Sequence, residues 1–299
     1  MIKHFIDIEN FNKKELDEII SIAKKIKKNP NKFLSKCKNK TLGLIFEKQS
    51  LRTRLSFNVG MQKLGGNVIE LNNLDIGFDN KREKDEDVLN VLAQFVDCLM
   101  IRNNNHKKLE DLSKKNVIPI INGLTEHSHP CQILGDFLTI QERFKKDDDL
   151  KITWIGDFNN VLISLLHLQN IYLFKLDVVI PSKILKSNLK ELKIYKNKKL
   201  NILSDPITGS KDSNCIMTDV WLSMGEKNRN KLKYFKNFTV NKKIINNAKE
   251  NVVFMHCLPA KRGQEVTSEV LDGDNSIVLQ QAKNRMFIQQ AILIYVFKK

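Results

Sequence analysis

Glycine and proline are scarce, twelve and six among 299 residues, so collagen-like and low-complexity architectures are poor fits. The five cysteines, at 37, 98, 131, 215 and 257, are odd in number, scattered and free of any C-x-x-C pair. That argues against a disulfide framework and a structural zinc site, and for a reducing cytoplasm. No run approaches the ~20 apolar residues that span a bilayer. The opening MIKHFIDIENFNKKELDE carries acids where a signal peptide needs an apolar stretch. The expectation is a globular, cytoplasmic protein with no membrane partner.

Arginine and aromatics are also thin. Fifty basic against thirty-four acidic residues give a net charge of +16, yet only eight of the fifty are arginine and aromatics make up 7%. Nucleic-acid surfaces rely on clustered arginine with exposed aromatics, whereas these lysines are spread among asparagines and isoleucines along the whole chain. The charge reads as a composition bias, and no nucleic-acid partner is expected.

What is present is periodicity. Residues 12–28 place Leu16, Ile19, Ile20, Ile22, Ala23 and Ile26 on one helical face. Short apolar runs then alternate with helical stretches: strand 41–46, helix 56–64, strand 67–71, helix 85–95, strand 98–101, helix 106–112 and strand 117–121. A helix over 129–144 has proline near its start, where a missing N–H costs least. Runs at 151–155, 176–180, 215–218 and 252–255 supply a second set of strands, and 282–297 reads as a closing helix. The alternation predicts an α/β fold of two doubly wound domains, each a mainly parallel sheet flanked by helices, with long helices bridging them.

Six segments carry chemistry. Phe46-Glu47-Lys48-Gln49-Ser50-Leu51-Arg52-Thr53-Arg54 lies between a strand and a helix, where a helix N-terminus, hydroxyls and a guanidinium can hold a phosphate; alone, Ser50 would read as a helix cap. Arg102 falls just past a strand, and His129-Pro130-Cys131-Gln132 follows another; alone, the first reads as a surface residue and the second as structural. Gly156-Asp157-Phe158-Asn159-Asn160 lacks the glycines of a dinucleotide turn, which disfavours an NAD-dependent oxidoreductase. Asp219-Val220-Trp221-Leu222-Ser223-Met224-Gly225 and His256-Cys257-Leu258-Pro259-Ala260 end two later strands. Neighbours in an extended strand point to opposite faces, so His256 and Cys257 are expected to diverge and not to share a zinc ion.

Together with Asn284-Arg285, these six occur in the order of the aspartate/ornithine carbamoyltransferase family, and DxxxSMG with HCLPA resembles its ornithine branch. The resemblance runs through nearly the whole chain. It implies transfer of the carbamoyl group of carbamoyl phosphate to the δ-amine of L-ornithine, giving L-citrulline and phosphate in arginine biosynthesis, with no cofactor and no metal. It further implies a carbamoyl-phosphate-binding domain over 1–130, completed by a helix at 283–299, an ornithine-binding domain over 131–282, and a homotrimer.

By the same resemblance Ser50, Leu51, Arg52 and Thr53 cradle the phosphate, Arg102, His129 and Gln132 hold the carbamoyl end, and Arg285 reaches in from the last helix. Asn159, Asp219, Ser223 and Met224 grip the head of ornithine, while Cys257 and Leu258 meet the δ-amine and the carbamoyl group it attacks. Arg52, Thr53, Arg102, His129 and Cys257 form the catalytic set. Three features depart from the family: Leu51 stands where its Ser-Thr-Arg-Thr-Arg run has threonine, the segment Leu74–Asp79 lacks the glutamine that many relatives extend into a neighbouring subunit, and Lys283 replaces a common acid beside Asn284-Arg285. The alternatives are a sister carbamoyltransferase acting on putrescine or another amine, and a Cys257 thiolate nucleophile paired with a histidine.

Overall fold

The structure, a computed structural model, describes residues 2–48, 50–72, 83–144, 149–222 and 228–298. The chain divides into two compact units, 1–138 with 283–299, and 139–282. It passes from one to the other inside a helix in both directions.

In the first unit, helix α1 (Lys13–Lys28) opens on an Asn12–Glu15 capping box and buries the six apolar residues of its periodic face. There follow β1 (Thr41–Phe46), α2 (Leu51–Lys63), β2 (Asn67–Asn72), α3 (Asp85–Leu92), β3 (Cys98–Arg102), α4 (His106–Lys114), β4 (Ile120–Leu124) and α5 (Pro130–Arg143). The strands form a parallel sheet in the order β2-β1-β3-β4. Parallel neighbours need crossover helices, which is why strand and helix alternate here. Phe5 bridges to Ile121 beside β4, so the start of the chain covers part of that edge. A core of Ile45, Leu89, Leu99, Ile101, Leu109 and Ile120 fills one side.

The second unit contains β5 (Lys151–Ile155), α6 (Asn160–Tyr172), β6 (Lys175–Val179), α7 (Ser182–Ile194), β7 (Leu200–Leu203), α8 (Pro206–Ser210), β8 (Cys215–Thr218), α9 (Lys242–Asn246), β9 (Val253–His256) and α10 (Ser268–Leu271). Helix α11 (Val278–Val296) begins in this unit and ends in the first. Its sheet is parallel, in the order β7-β6-β5-β8-β9. Val161 through Gln169 of α6 are all buried, which accounts for a sequence that carries apolar residues on every face and not on one stripe.

Two parallel sheets flanked by helices match the expected fold class. Some boundaries moved. Helix α2 starts at Leu51, five residues ahead of the expected 56, because Ser50 caps it. Arg102 is the last residue of β3 and not a residue beyond it. Among the described residues no helix is long and apolar enough to cross a membrane.

Candidate active site

Each sheet reverses its strand order once. At such a switch point the loops leaving the carboxyl ends of two adjacent strands part, and ligands bind there. In the first sheet the switch lies between β1 and β3, whose last residues Phe46 and Arg102 are register partners. In the second it lies between β5 and β8.

At the first switch point Ser50 Oγ accepts the Thr53 N–H at 3.3 Å and donates to Thr53 Oγ1 at 2.9 Å. Thr53 is fully buried. Its Oγ1 also accepts from Arg285 Nη2 at 2.6 Å and Arg102 Nη1 at 3.3 Å. Three donors therefore converge on a hydroxyl with two lone pairs, a crowding that an incoming anionic oxygen would relieve. The guanidiniums of Arg102 and Arg285 are buried, and an anion would offset their charge. Arg54, two residues on, instead pairs with Glu70 at 3.2 Å and lies over the Phe46 ring.

His129 precedes Pro130, the first residue of α5, and its carbonyl accepts the N–H groups of Gln132 and Ile133. The approach is pinned by Asn122, whose Nδ2 donates to the Ile6 carbonyl and to Ser128 Oγ. Burial first, then the charges of Arg285, Arg102 and Arg52, hold the His129 imidazole well below its ordinary pKa. The ring is neutral at physiological pH and can donate one N–H to a developing negative charge.

One helical turn later Gln132 Oε1 accepts from Arg285 Nη1 at 2.9 Å, and its Nε2 donates to Asp136 Oδ1 at 2.7 Å. Gly135 favours the approach of α11 to α5 here: a Cβ there would stand 3.1 Å from the Arg285 Cα, tighter than ordinary van der Waals contact, and α11 would have to yield by a few tenths of an ångström.

At the second switch point Asn159 caps α6. Its Oδ1 accepts from the Val161 and Leu162 N–H groups, both at 3.1 Å, and its Nδ2 donates to Asp219 Oδ2 at 3.0 Å. The other Asp219 oxygen accepts from Cys257 Sγ at 2.9 Å. Asp157, nearly fully buried, forms an ion pair with Lys231, and its carbonyl accepts from Trp154 Nε1 at 2.9 Å.

His256 and Cys257 do not diverge as expected. Strand β9 ends at His256, the alternation of faces stops with it, and Asp219, His256 and Cys257 each offer a ligand atom within 4.8 Å of the others. Both ring nitrogens of His256 are nevertheless engaged. Nδ1 accepts the Leu258 N–H at 2.8 Å, so the neutral ring carries its proton on Nε2, which faces Glu265 Oε1 at 3.2 Å. Glu265 Oε1 also accepts the Lys261 N–H at 2.6 Å. The pair braces the turn at Leu258, which holds a left-handed backbone at φ 57° that costs a residue with a Cβ of order 1–3 kcal/mol.

Of the residues singled out in the sequence, Ser50, Leu51, Arg52, Thr53, Arg102, His129, Gln132 and Arg285 belong to the first unit. Asn159, Asp219, Cys257 and Leu258 belong to the second. The Leu51 side chain is 69% exposed, so this residue offers a ligand its backbone. Ser223, Met224 and the 74–79 segment lie outside the described residues. Asp136, Lys231 and Glu265 went unnoticed in the sequence. For Asp136 a signal existed, since it stands four residues after Gln132 on one helix face.

The family described as Aspartate/ornithine carbamoyltransferase, carbamoyl-P binding domain, matches residues 3–142, and the Asp/Orn binding domain of the same family matches residues 148–296. A protein of Methanococcus aeolicus named ornithine carbamoyltransferase is 39% identical over 305 residues, covering 99% of this chain and all of its own. The ornithine carbamoyltransferase of Pyrococcus furiosus superimposes with a TM-score of 0.86 at 38% identity, over 97% of this chain and 96% of that one. The anabolic ornithine carbamoyltransferase of Campylobacter jejuni does so with a TM-score of 0.87 at 32% identity, over 99% of both chains.

Proposed function

The chain belongs to the aspartate/ornithine carbamoyltransferase family, and from that premise we infer that it transfers the carbamoyl group of carbamoyl phosphate to the δ-amine of L-ornithine. The products are L-citrulline and phosphate. The observation that carries the chemistry is the convergence of Arg102 and Arg285 on Thr53 Oγ1, at the N-terminus of a helix and with a neutral, buried His129 in the same unit.

The phosphate of the substrate takes the free N–H groups at the start of α2 and the guanidiniums, fixing the leaving group. The amine nitrogen attacks the carbonyl carbon, the C–N bond forms, and negative charge grows on the carbonyl oxygen. Thr53, Arg102 and His129 supply donors to that oxygen in a setting fixed before the substrate arrives. The C–O bond to phosphate then breaks, and the departing phosphate takes the proton of the amine. Holding both substrates converts a two-molecule encounter into an oriented reaction.

Ornithine is the acceptor because full-length relatives carry that name, and because the Asp219 carboxylate, oriented by Asn159 and Cys257, suits an α-ammonium group. A δ-amine of lysine type has a pKa near ~10, so it must lose a proton before attack, and the rate should rise with pH above neutrality. Cys257 Sγ donates to the Asp219 carboxylate, and both nitrogens of the adjacent His256 are bonded elsewhere, so this histidine is not paired with the thiol. A cysteine-nucleophile mechanism loses its support.

A role in arginine biosynthesis and a homotrimeric assembly follow the resemblance. A cytoplasmic setting is supported by five cysteines that form no disulfide. The test is a citrulline assay with carbamoyl phosphate and ornithine, repeated with putrescine and acetylornithine and with His129→Ala and Arg102→Ala. Citrulline from ornithine alone, lost in both variants, supports the reading. Faster turnover of putrescine or acetylornithine would replace it.

A further inference from the structure

Gln132 is 1% exposed, and its amide is held from both ends by groups that leave no choice of orientation. Arg285 can only donate and takes the oxygen; an ionised Asp136 can only accept and takes the nitrogen. Turning the amide over would set donor against donor at 2.9 Å and acceptor against acceptor at 2.7 Å. Asp136 is itself 1% exposed. Burying a carboxylate is costly unless it is bonded, and the bond it makes lies one helical turn from His129-Pro130-Cys131-Gln132, on a residue that the proposed function sets beside the transferred group.

We propose that Asp136 is a positioning residue that acts through Gln132: by engaging the amide nitrogen it reinforces the orientation that Arg285 favours and holds the amide oxygen as the end presented to the transferred acyl group. An oxygen presented there accepts a hydrogen bond. It therefore favours an acyl phosphate whose carbonyl carbon bears an N–H donor, as the carbamoyl group does, over one of the same shape bearing a methyl group, as acetyl phosphate does. A buried acceptor facing a methyl group loses its partner altogether, and such a loss discriminates more strongly than a change of shape. Asp136 touches neither substrate in this scheme. Its influence is the polarity of one amide.

The inference rests on the carbamoyltransferase reading, and the experiment separates the two. In the wild-type enzyme, citrulline formation tests the reading, and acetyl phosphate is measured as a competitive inhibitor against carbamoyl phosphate. D136L removes the acceptor while keeping the branched arrangement of side-chain heavy atoms. The expected result is a rise of the carbamoyl phosphate KM by about 10- to 100-fold, the weight of one charge-assisted hydrogen bond. The ornithine KM should stay within about twofold, since Asp136 and Gln132 both belong to the first unit whereas Asn159 and Asp219 belong to the second. The preference for carbamoyl over acetyl phosphate should narrow. D136N, which still offers an oxygen to the amide, should retain most of the preference.

The double variant Q132E/D136L supplies the rescue. A carboxylate at 132 has no nitrogen end to misplace, still accepts from Arg285 and keeps one buried negative charge, so the preference should return. This variant also carries the test if D136L alone does not fold. An unchanged carbamoyl phosphate KM and preference in D136L would overturn the proposal. So would equal damage in D136L and D136N, an equal rise in both substrate KM values, or a folded Q132E/D136L without the preference. Wild-type protein that makes no citrulline would instead remove the reading beneath it.

Discussion

Arg285 Nη2 lies 2.6 Å from Thr53 Oγ1, a hydrogen bond between residues 232 positions apart that ties the closing helix to the first turn of α2. Thr53→Val keeps the shape and removes the acceptor. Two buried guanidiniums then lose a partner, at a cost of about 1–3 kcal/mol in stability. The expected outcome is a lower denaturant midpoint together with a carbamoyl phosphate KM raised by about tenfold or more. A variant with wild-type KM would separate this hydroxyl from the substrate.

His129 sets a pH dependence of stability. An unfolded histidine titrates near ~6.5, whereas burial and the neighbouring arginines keep folded His129 neutral to well below its ordinary value. Below pH ~6.5 the unfolded chain thus binds more protons, and stability falls as the pH drops. His129→Asn should make the decline of Tm between pH ~7 and ~5 shallower. It should not abolish the decline, because burial also lowers His4 and His106. An unaltered slope would mean that the ring takes up its proton over the same pH range in the folded and the unfolded protein.

Asp219 accepts from both Asn159 and Cys257. Asp219→Asn should raise the ornithine KM by about 100-fold, on the scale of a lost charged partner. Cys257→Ala removes one weak donor and should cost about tenfold or less. In each the carbamoyl phosphate KM should stay near wild type. Steady-state kinetics in both substrates checks the split, and a parallel rise in both values would contradict it.

Leu51 opens α2 with an exposed side chain, at the position where the family resemblance leads one to expect the hydroxyl of a threonine. Leu51→Ser adds a hydroxyl beside the helix N-terminus. It should tighten phosphate binding by about 0.5–1.5 kcal/mol if the oxygen is reached, read as a lower inhibition constant for inorganic phosphate. No change would mean that the backbone amide at this position suffices.

The α/β character was legible because alternation of short apolar runs with amphipathic stretches is a local property. Burial on both faces explains why the strands read as continuous apolar runs. The start of α2 was misjudged because Arg52 and Arg54 interrupt the apolar pattern that marks a helix, although the cap Ser50 stood in plain view. The His256 and Cys257 expectation failed for a related reason. Alternation of faces holds only while a strand continues, and the sequence does not mark where β9 stops.

The sequence by itself determined the two sets of parallel strands, the residue types at their carboxyl ends and the chemistry those types can perform. Only the tertiary structure decided that Arg285, far along the chain, bonds Thr53 and Gln132, and that Asp136 and Glu265 hold the groups beside them. Propensity and periodicity act over a few residues, whereas a buried polar group must find its partner wherever folding brings one within reach.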